Sequence, residues 1–355
     1  MTGRGDASRV ALMKETLAEG LSELRGRTVR IHELRCEAFD GSSSFAAERL
    51  HVKADGEWLE VFFKDLNPMH QLADAKLIRQ PELERSRREL HVYRSILRGG
   101  RLGTPLLYGS RWEPQCGRLW LFLEYAGPKR LSRLGDLGLW IEASRWAGRF
   151  HVASREFPKD AVDVLPQHDP ETYSRCASEL HDRLGRFSME HRRTLESALS
   201  RYEDEIPSLR ELPHGLIHNE FFGKNVIIRN EEANGRIAVI DWETARIGAH
   251  YLDLTSISAG RWTGEQRAAM WRAYADQVER DSGESIDWRD FCNAMRAVAL
   301  YQSLSWLNWW SSGDDVHINR WMKELRTVLE AYGQRPAGKV PQATGPALPG
   351  TAVLE

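Results

Sequence analysis

The chain has 355 residues, 41% hydrophobic and 28% charged, and its 49 Lys and Arg against 51 Asp and Glu leave a formal net charge of -2. That length and balance suit a soluble globular protein with a substantial core, most simply in two lobes, and give no electrostatic footing for nucleic acid, a membrane surface or a strongly polycationic substrate. Cys36, Cys116, Cys176 and Cys292 are too scattered for a local zinc pair or a disulfide framework; with no apolar signal core in MTGRGDASRV and no bilayer-length apolar run, a cytoplasmic protein with buried free thiols is expected.

From Ser8 to Leu24, apolar residues at Val10, Leu12, Met13, Leu17, Leu21 and Leu24 recur with a helical period. Three strands are expected next, over Val29–Cys36, Ala46–Ala54 and Glu57–Leu66, the last two joined by a tight turn at Asp55-Gly56. Between the first two lies FDGSSSF, where Gly41, Ser42, Ser43 and Ser44 offer backbone N–H groups and hydroxyls that suit a triphosphate, or simply make a small polar loop. In VFFKDL, Lys64 shares a strand face with Phe62, so it must reach solvent or find a negative partner. A triphosphate would supply one, and so would a carboxylate from the helix expected over Pro81–Leu97, which carries Glu84 and Glu89.

Pro105 begins a strand-like PLLYG, and Arg118–Tyr125 reads as a buried strand ending in Glu124-Tyr125-Ala126-Gly127-Pro128, a candidate boundary between domains. Beyond it the expected helices are Trp140–Ala153, Pro170–Leu184 and Arg192–Ile206, with three more after Thr263. Trp306, Trp309 and Trp310 fall on one side of a helix; core packing is the favoured reading, a substrate wall with help from Asp314 and Asp315 the other. After Gly333 the Pro-, Gly- and Ala-rich sequence reads as a disordered tail.

The most informative stretch is HNEFFGKNVIIRNEEANGRIAVID, His218 to Asp241. Val226–Arg229 and Ile237–Ile240 are β-branched runs separated by polar residues ending in Asn-Gly, the pattern of a hairpin. Antiparallel pairing would bring Asn225 and Asp241 side by side, within about 5 Å. An amide oxygen and a carboxylate there are hard ligands of the kind Mg²⁺ takes while holding phosphates. Glu220 stands on the loop entering the first strand.

The spacing His218-x-Glu220-x4-Asn225, followed by Asp241 in IDWE and by Gly248 and Asp253-Leu254 in RIGAHYLDL, resembles the aminoglycoside phosphotransferase and choline kinase family, relatives of protein kinases. The family usually has Asp where this chain has Glu220. The resemblance covers roughly residues 25 to 330 and implies an α+β, two-lobed protein-kinase-like fold: a nucleotide-binding lobe with a small antiparallel sheet over 1–126, a mainly helical lobe with the catalytic loop and acceptor pocket over 127–333, and a tail over 334–355. It implies a small-molecule kinase that moves the γ-phosphate of ATP or GTP, with Mg²⁺, to the hydroxyl of a small acceptor. In that scheme Lys64 neutralises phosphate oxygens, Glu89 holds Lys64, and the Ser42–Ser44 loop covers the phosphates. The linker at Glu124 and Ala126 meets the adenine, Asn225 and Asp241 hold the metal, Glu220 serves as the base, and His218 orients the loop. The alternatives are a nucleotide-binding protein without phosphotransfer, motivated by Glu220, and a hydrolase using Glu220 with a second carboxylate.

Overall fold

The computed structural model describes residues 3–39, 45, 47–72, 82–229, 236–311 and 315–333. Helix α1 (Gly3–Arg25) lies on a five-stranded antiparallel sheet of β1 (Ile31–Ala38), β2 (Ala47–Ala54), β3 (Glu57–Asp65), β4 (Leu107–Glu113) and β5 (Arg118–Glu124), in the order β1-β2-β3-β5-β4. The helical period has its cause in burial: Met13, Leu17 and Leu21 are sealed against Val52, Val61 and Phe122 of the sheet. Helix and strand touch backbone to backbone where α1 crosses β4, since a Cβ on Gly20 would lie 2.2 Å from the Tyr108 carbonyl oxygen. The β2–β3 turn places Asp55 and Gly56 at φ of 49° and 94°, the pair of positive values that a type I′ hairpin demands.

Strand β3 runs down the middle of the sheet, with Lys64 opposite Ala47 on one side and Leu121 on the other. Helix α2 (Leu83–His91) continues as a π-helical turn over Val92–Ile96 and buries Glu89, Leu90 and Tyr93. The chain leaves β5 at Glu124 and enters α3 (Leu137–Ala153), α4 (Glu171–Arg183) and α5 (Met189–Arg210). Four short strands follow: β6 (His214–Ile217), β7 (Val226–Ile228), β8 (Ile237–Val239) and β9 (Arg246–Ala249). Helices α6 (Tyr251–Ser258), α7 (Gly264–Ser282), α8 (Trp288–Trp310) and α9 (Asp315–Gly333) complete the second lobe. Helix α7 starts in a capping box of Thr263 and Gln266, which satisfies N–H groups that a helix start leaves without partners. One continuous set of buried side chains, including Leu121, Leu123, Leu90, Trp146 and Trp242, joins the sheet to the helical half.

Three expectations need correction. The second lobe is not helical apart from one hairpin, because β6 pairs with β9 in a four-residue ladder from His214↔Ala249 to Ile217↔Arg246. Cys36 and Cys116 are exposed, and only Cys176 and Cys292 are buried: Cys36 is on the outermost strand of the sheet and Cys116 in a turn between strands. The hairpin is also one residue out of the expected register. Val226 faces Val239, and the Ile240 N–H donates to the Asn225 carbonyl at 3.0 Å, so Asp241 stands one position beyond Asn225. Among the described residues no helix is long and apolar enough to cross a membrane.

Candidate active site

The sheet, α2 and the β7–β8 hairpin converge on one buried ammonium. Lys64 Nζ donates to Glu89 Oε2 at 2.8 Å, Glu89 Oε1 at 3.0 Å and Asp241 Oδ1 at 2.7 Å. The Lys64 and Glu89 side chains are only 7% and 2% exposed, so the pair is tied together in low dielectric and water does little to screen it. Burial alone would depress the Lys64 ammonium, but Asp241, Glu89 and Glu243 outweigh it and hold its pKa well above the usual range. Burial pushes the Glu89 carboxyl up to about 7 against the pull of Lys64, with Asp241 and Glu243 adding to the rise. Asp241 moves the other way: burial opposes its charge, but the attraction and hydrogen bond of Lys64 carry it well below the ordinary carboxylate range. Glu84, the alternative partner for Lys64, is exposed and pairs with Arg87.

Asp241 adopts a left-handed backbone, φ 70°, which turns the chain sharply as it leaves β8 and aims the carboxylate at Lys64; such a conformation is uncommon outside glycine and best tolerated by Asn and Asp. Asn225 is buried and its Nδ2 donates to the Glu220 carbonyl at 3.0 Å, which leaves Oδ1 as its unshared polar atom. Glu89, Asp241 and Glu243 present carboxylate oxygens within 4.8 Å of one another. This donor set of hard oxygens fits a divalent cation such as Mg²⁺. The sequence reading had passed over Glu243, although it stands two residues after Asp241 and its burial marks it as more than surface acid.

The loop that carries Glu220 is fastened from behind. The buried Asp253 carboxylate accepts from the His218 and Asn219 N–H groups, both at 2.8 Å, and from His151 Nε2 at 3.2 Å. His151 in turn contacts the Tyr274 hydroxyl at 2.9 Å, and burial lowers its pKa to about 3, so it is neutral. Burial raises Asp253, against the stabilising His218 and Asn219. His218, with no exposed surface, donates from Nε2 to the Ile240 carbonyl at 2.9 Å and accepts the Glu220 N–H on Nδ1 at 3.2 Å. Both ring nitrogens are thereby committed to loop shape.

Two hollows meet at this loop. Lys64, Glu89, Asn225, Asp241, Glu124 and Ala126 all line a cleft between sheet and hairpin. The Glu124 carboxylate also accepts from the Leu106 N–H at 3.1 Å and pairs with Arg229 at 3.1 Å, tying the residue before β4 to the residue after β7. Glu220 and Asn219 face a second, wider basin walled by Trp306, Trp309 and Trp310. The favoured packing role holds for Trp306 and Trp310, which are partly buried against the core of the helical lobe, while Trp309 is 50% exposed; the remaining surface of all three lines the basin. Asp315 is exposed at the start of α9 and does not line the basin. Ser42, Ser43, Ser44 and Asp314 lie outside the described residues.

The family model of the phosphotransferase enzyme family matches residues 75–291, more than half of the chain. The protein belongs to that family. Solved structures agree on the fold. An aminoglycoside 2'-phosphotransferase-IIIa in complex with GDP aligns with a TM-score of 0.56 at 14% identity, over 85% of this chain and 94% of that one. A choline kinase from Cryptosporidium parvum Iowa II aligns with a TM-score of 0.53 at 11% identity, over 84% and 89%. No curated protein matches the sequence. For a phosphotransferase of this fold, the notable features are the Glu220 carboxylate in the loop and the basic lining of the basin, to which Arg246 contributes. Arg246 escaped the sequence reading because nothing local distinguishes it; only the β6–β9 pairing sets it opposite Ile217, the residue before His218.

Proposed function

We propose that this protein is a small-molecule kinase that transfers the γ-phosphate of ATP or GTP to a hydroxyl group, with Mg²⁺. The observation that carries the reading is the Lys64 ammonium held between Glu89 and Asp241 at the floor of a cleft that shares the Glu220 loop with a second basin. One hollow suits a donor, the other an acceptor. A phosphotransferase relative of the same fold was solved with GDP, which supports a purine nucleotide in the cleft.

In this scheme Glu124 and Ala126 border the base, Lys64 neutralises phosphate oxygens and Glu89 fixes Lys64. Asn225, Asp241 and Glu243 would hold the metal, which when bound supplies positive charge at the phosphates. Glu220, on the basin side, takes the proton of the acceptor hydroxyl. The bond from the γ-phosphorus to the bridging oxygen breaks, the acceptor oxygen bonds to that phosphorus, and the nucleoside diphosphate leaves with the electron pair. Positioning and charge account for most of catalysis of this type, and His218 and Asp253 contribute as positioning residues. A nucleotide-binding protein without transfer would need the cleft alone; the basin-facing Glu220, 12% exposed and 3.7 Å from Lys224 Nζ, favours transfer. Thermal shifts with ATP and GTP, each with and without Mg²⁺, test the reading: a rise that requires both is expected, and no response to any nucleotide would overturn it.

A further inference from the structure

Among the described residues, the basin beside Glu220 is lined by Lys224, Arg246, Arg261, Arg320 and Lys323, against only two carboxylates, Glu220 and Glu324. Neither acid is available to a cation. Glu324 is locked in a buried pair with Arg267, at 2.9 Å between Oε2 and Nη2, and it also accepts the Gly260 N–H at 2.9 Å. Glu220 is the basin's reacting group and already has Lys224 at 3.7 Å. The aromatic surface is only partly taken up: Trp310 is stacked on His317 at 3.9 Å, Trp321 has Trp306 at 4.0 Å and the Arg320 guanidinium at 4.8 Å, and Trp309 is 50% exposed. An exposed ring takes a flat ligand of either charge, so the charged groups decide the sign.

The cations are differently placed. Among the described residues, the side chains of Arg246, Arg320 and Lys323 form no ion pair or hydrogen bond, and Arg246 is half-buried with its Nε sequestered and without a partner. Beside it on the basin wall, His168 is buried with neither ring nitrogen hydrogen-bonded. Burial, with Arg246 next, lowers the His168 pKa to about 4, so this imidazole is neutral and can donate one hydrogen bond. An arginine withdrawn from water without a counterion is costly. In a basin open to solvent, a ligand can supply the missing charge.

Resting on the kinase reading above, we propose that the phosphate acceptor is an anionic alcohol: a hydroxyl compound with a planar body along Trp306 and Trp309 and a carboxylate or phosphate directed at Arg246. A guanidinium binds either group through paired N–H donors. Arg246 and Glu220 line the same basin, and the β6–β9 register sets Arg246 across from Ile217, three residues before Glu220; the ligand spans the two.

The test is a titration of the intrinsic tryptophan fluorescence of the full chain with four probes built on one benzyl alcohol frame, 3-(hydroxymethyl)benzoate, 3-(hydroxymethyl)phenyl phosphate, 3-(hydroxymethyl)benzylamine and benzyl alcohol, and with kanamycin and choline. At least one anionic probe is expected to bind tenfold or more tightly than the amine, with affinity falling as salt rises; which of the two wins separates carboxylate from phosphate. Arg246→Met should remove most of that preference and Arg246→Lys restore part of it. Should Arg246→Met fail to fold, the exposed double variant Arg320→Met/Lys323→Met should still weaken anion binding several-fold. Equal or tighter binding of the amine, kanamycin or choline, or no binding of either anion, overturns the proposal. The nucleotide thermal shift separates the two claims: a Mg-nucleotide response without anion preference sinks only the acceptor assignment, whereas anion preference without any nucleotide response sinks the kinase reading and leaves the basin's chemistry standing.

Discussion

Replacing Lys64 by Met keeps most of the aliphatic stem and removes one charge, and the consequences can be followed through the carboxylates it serves. Glu89, Asp241 and Glu243, within 4.8 Å of one another, would lose the cation that Glu89 and Asp241 share at 2.7–3.0 Å. Removing one side of a buried pair costs about 3–5 kcal/mol, which for a chain of this size is a fall in Tm of roughly 4–7 °C. The loss should depend on pH. Without Lys64 the folded-state pKa values of the acids rise above their unfolded values, so stability is retained at low pH, where they are protonated, and is lost as pH rises. The deficit against wild type should therefore be largest above pH 7 and shrink below about pH 4.5, near the ordinary carboxylate value. Mg²⁺ should stabilise the variant more than wild type, because a divalent cation can replace the missing charge, while kcat/KM falls roughly 10²–10³-fold, the scale for losing one electrostatic contact to the transition state. Differential scanning calorimetry of both proteins from pH 4 to 9, with and without Mg²⁺, measures all but the last. A variant as stable as wild type at pH 8 would show that Lys64 does not hold the acidic cluster together.

Glu89 supplies a second pH test: its folded value of about 7 lies above the 4.5 of a free glutamate, so its contribution to stability is full below pH 4.5 and lost by about pH 7. Glu89→Gln should flatten the fall in wild-type Tm across that window, and parallel curves would contradict the shift. Asp253→Asn removes one of the two oxygens that accept the His218 and Asn219 N–H groups and leaves a buried donor facing a donor; we expect a loss of about 2–4 kcal/mol in urea unfolding and a larger loss in kcat than in nucleotide affinity. Unchanged turnover would remove Asp253 from the positioning set. Glu220→Gln should lower kcat by roughly 10²–10⁴ with nucleotide affinity nearly intact, and Glu220→Asp should also be slower, since the loop is built for the longer side chain. A faster Asp variant in single-turnover transfer would mark Glu220 as a disabled base.

Local sequence carried the cleft around Lys64. Period-two alternation placed Lys64 beside Phe62 on a strand face, and both line the cleft; motif spacing singled out Glu89, Asn225 and Asp241, which the fold gathers there. The hairpin was legible in outline but not in register, because Ile240 remains bonded to Asn225 and Asp241 turns away only through its left-handed backbone. The β6–β9 ladder escaped because its strands are four residues long with Gly215 facing Gly248, too short to show alternation. Those glycines are required by packing: a Cβ on Gly215 would lie 2.2 Å from His250 Nε2. The basin was hidden for a different reason. Its walls come from the Glu220 loop, β9, α8 and α9, and no local pattern announces that Arg246, Trp309 and Lys323 share one basin.

The central claim is tested most directly by incubating wild type and Asp241→Asn with γ-labelled ATP or GTP, Mg²⁺ and a pool of small alcohols that includes the anionic probes, and following where the label goes. Wild type should move it into an organic phosphate ester and Asp241→Asn should leave it on the nucleotide. Label that stays on the nucleotide or appears only as inorganic phosphate with wild type, or ester formed at the same rate by both proteins, would contradict the account.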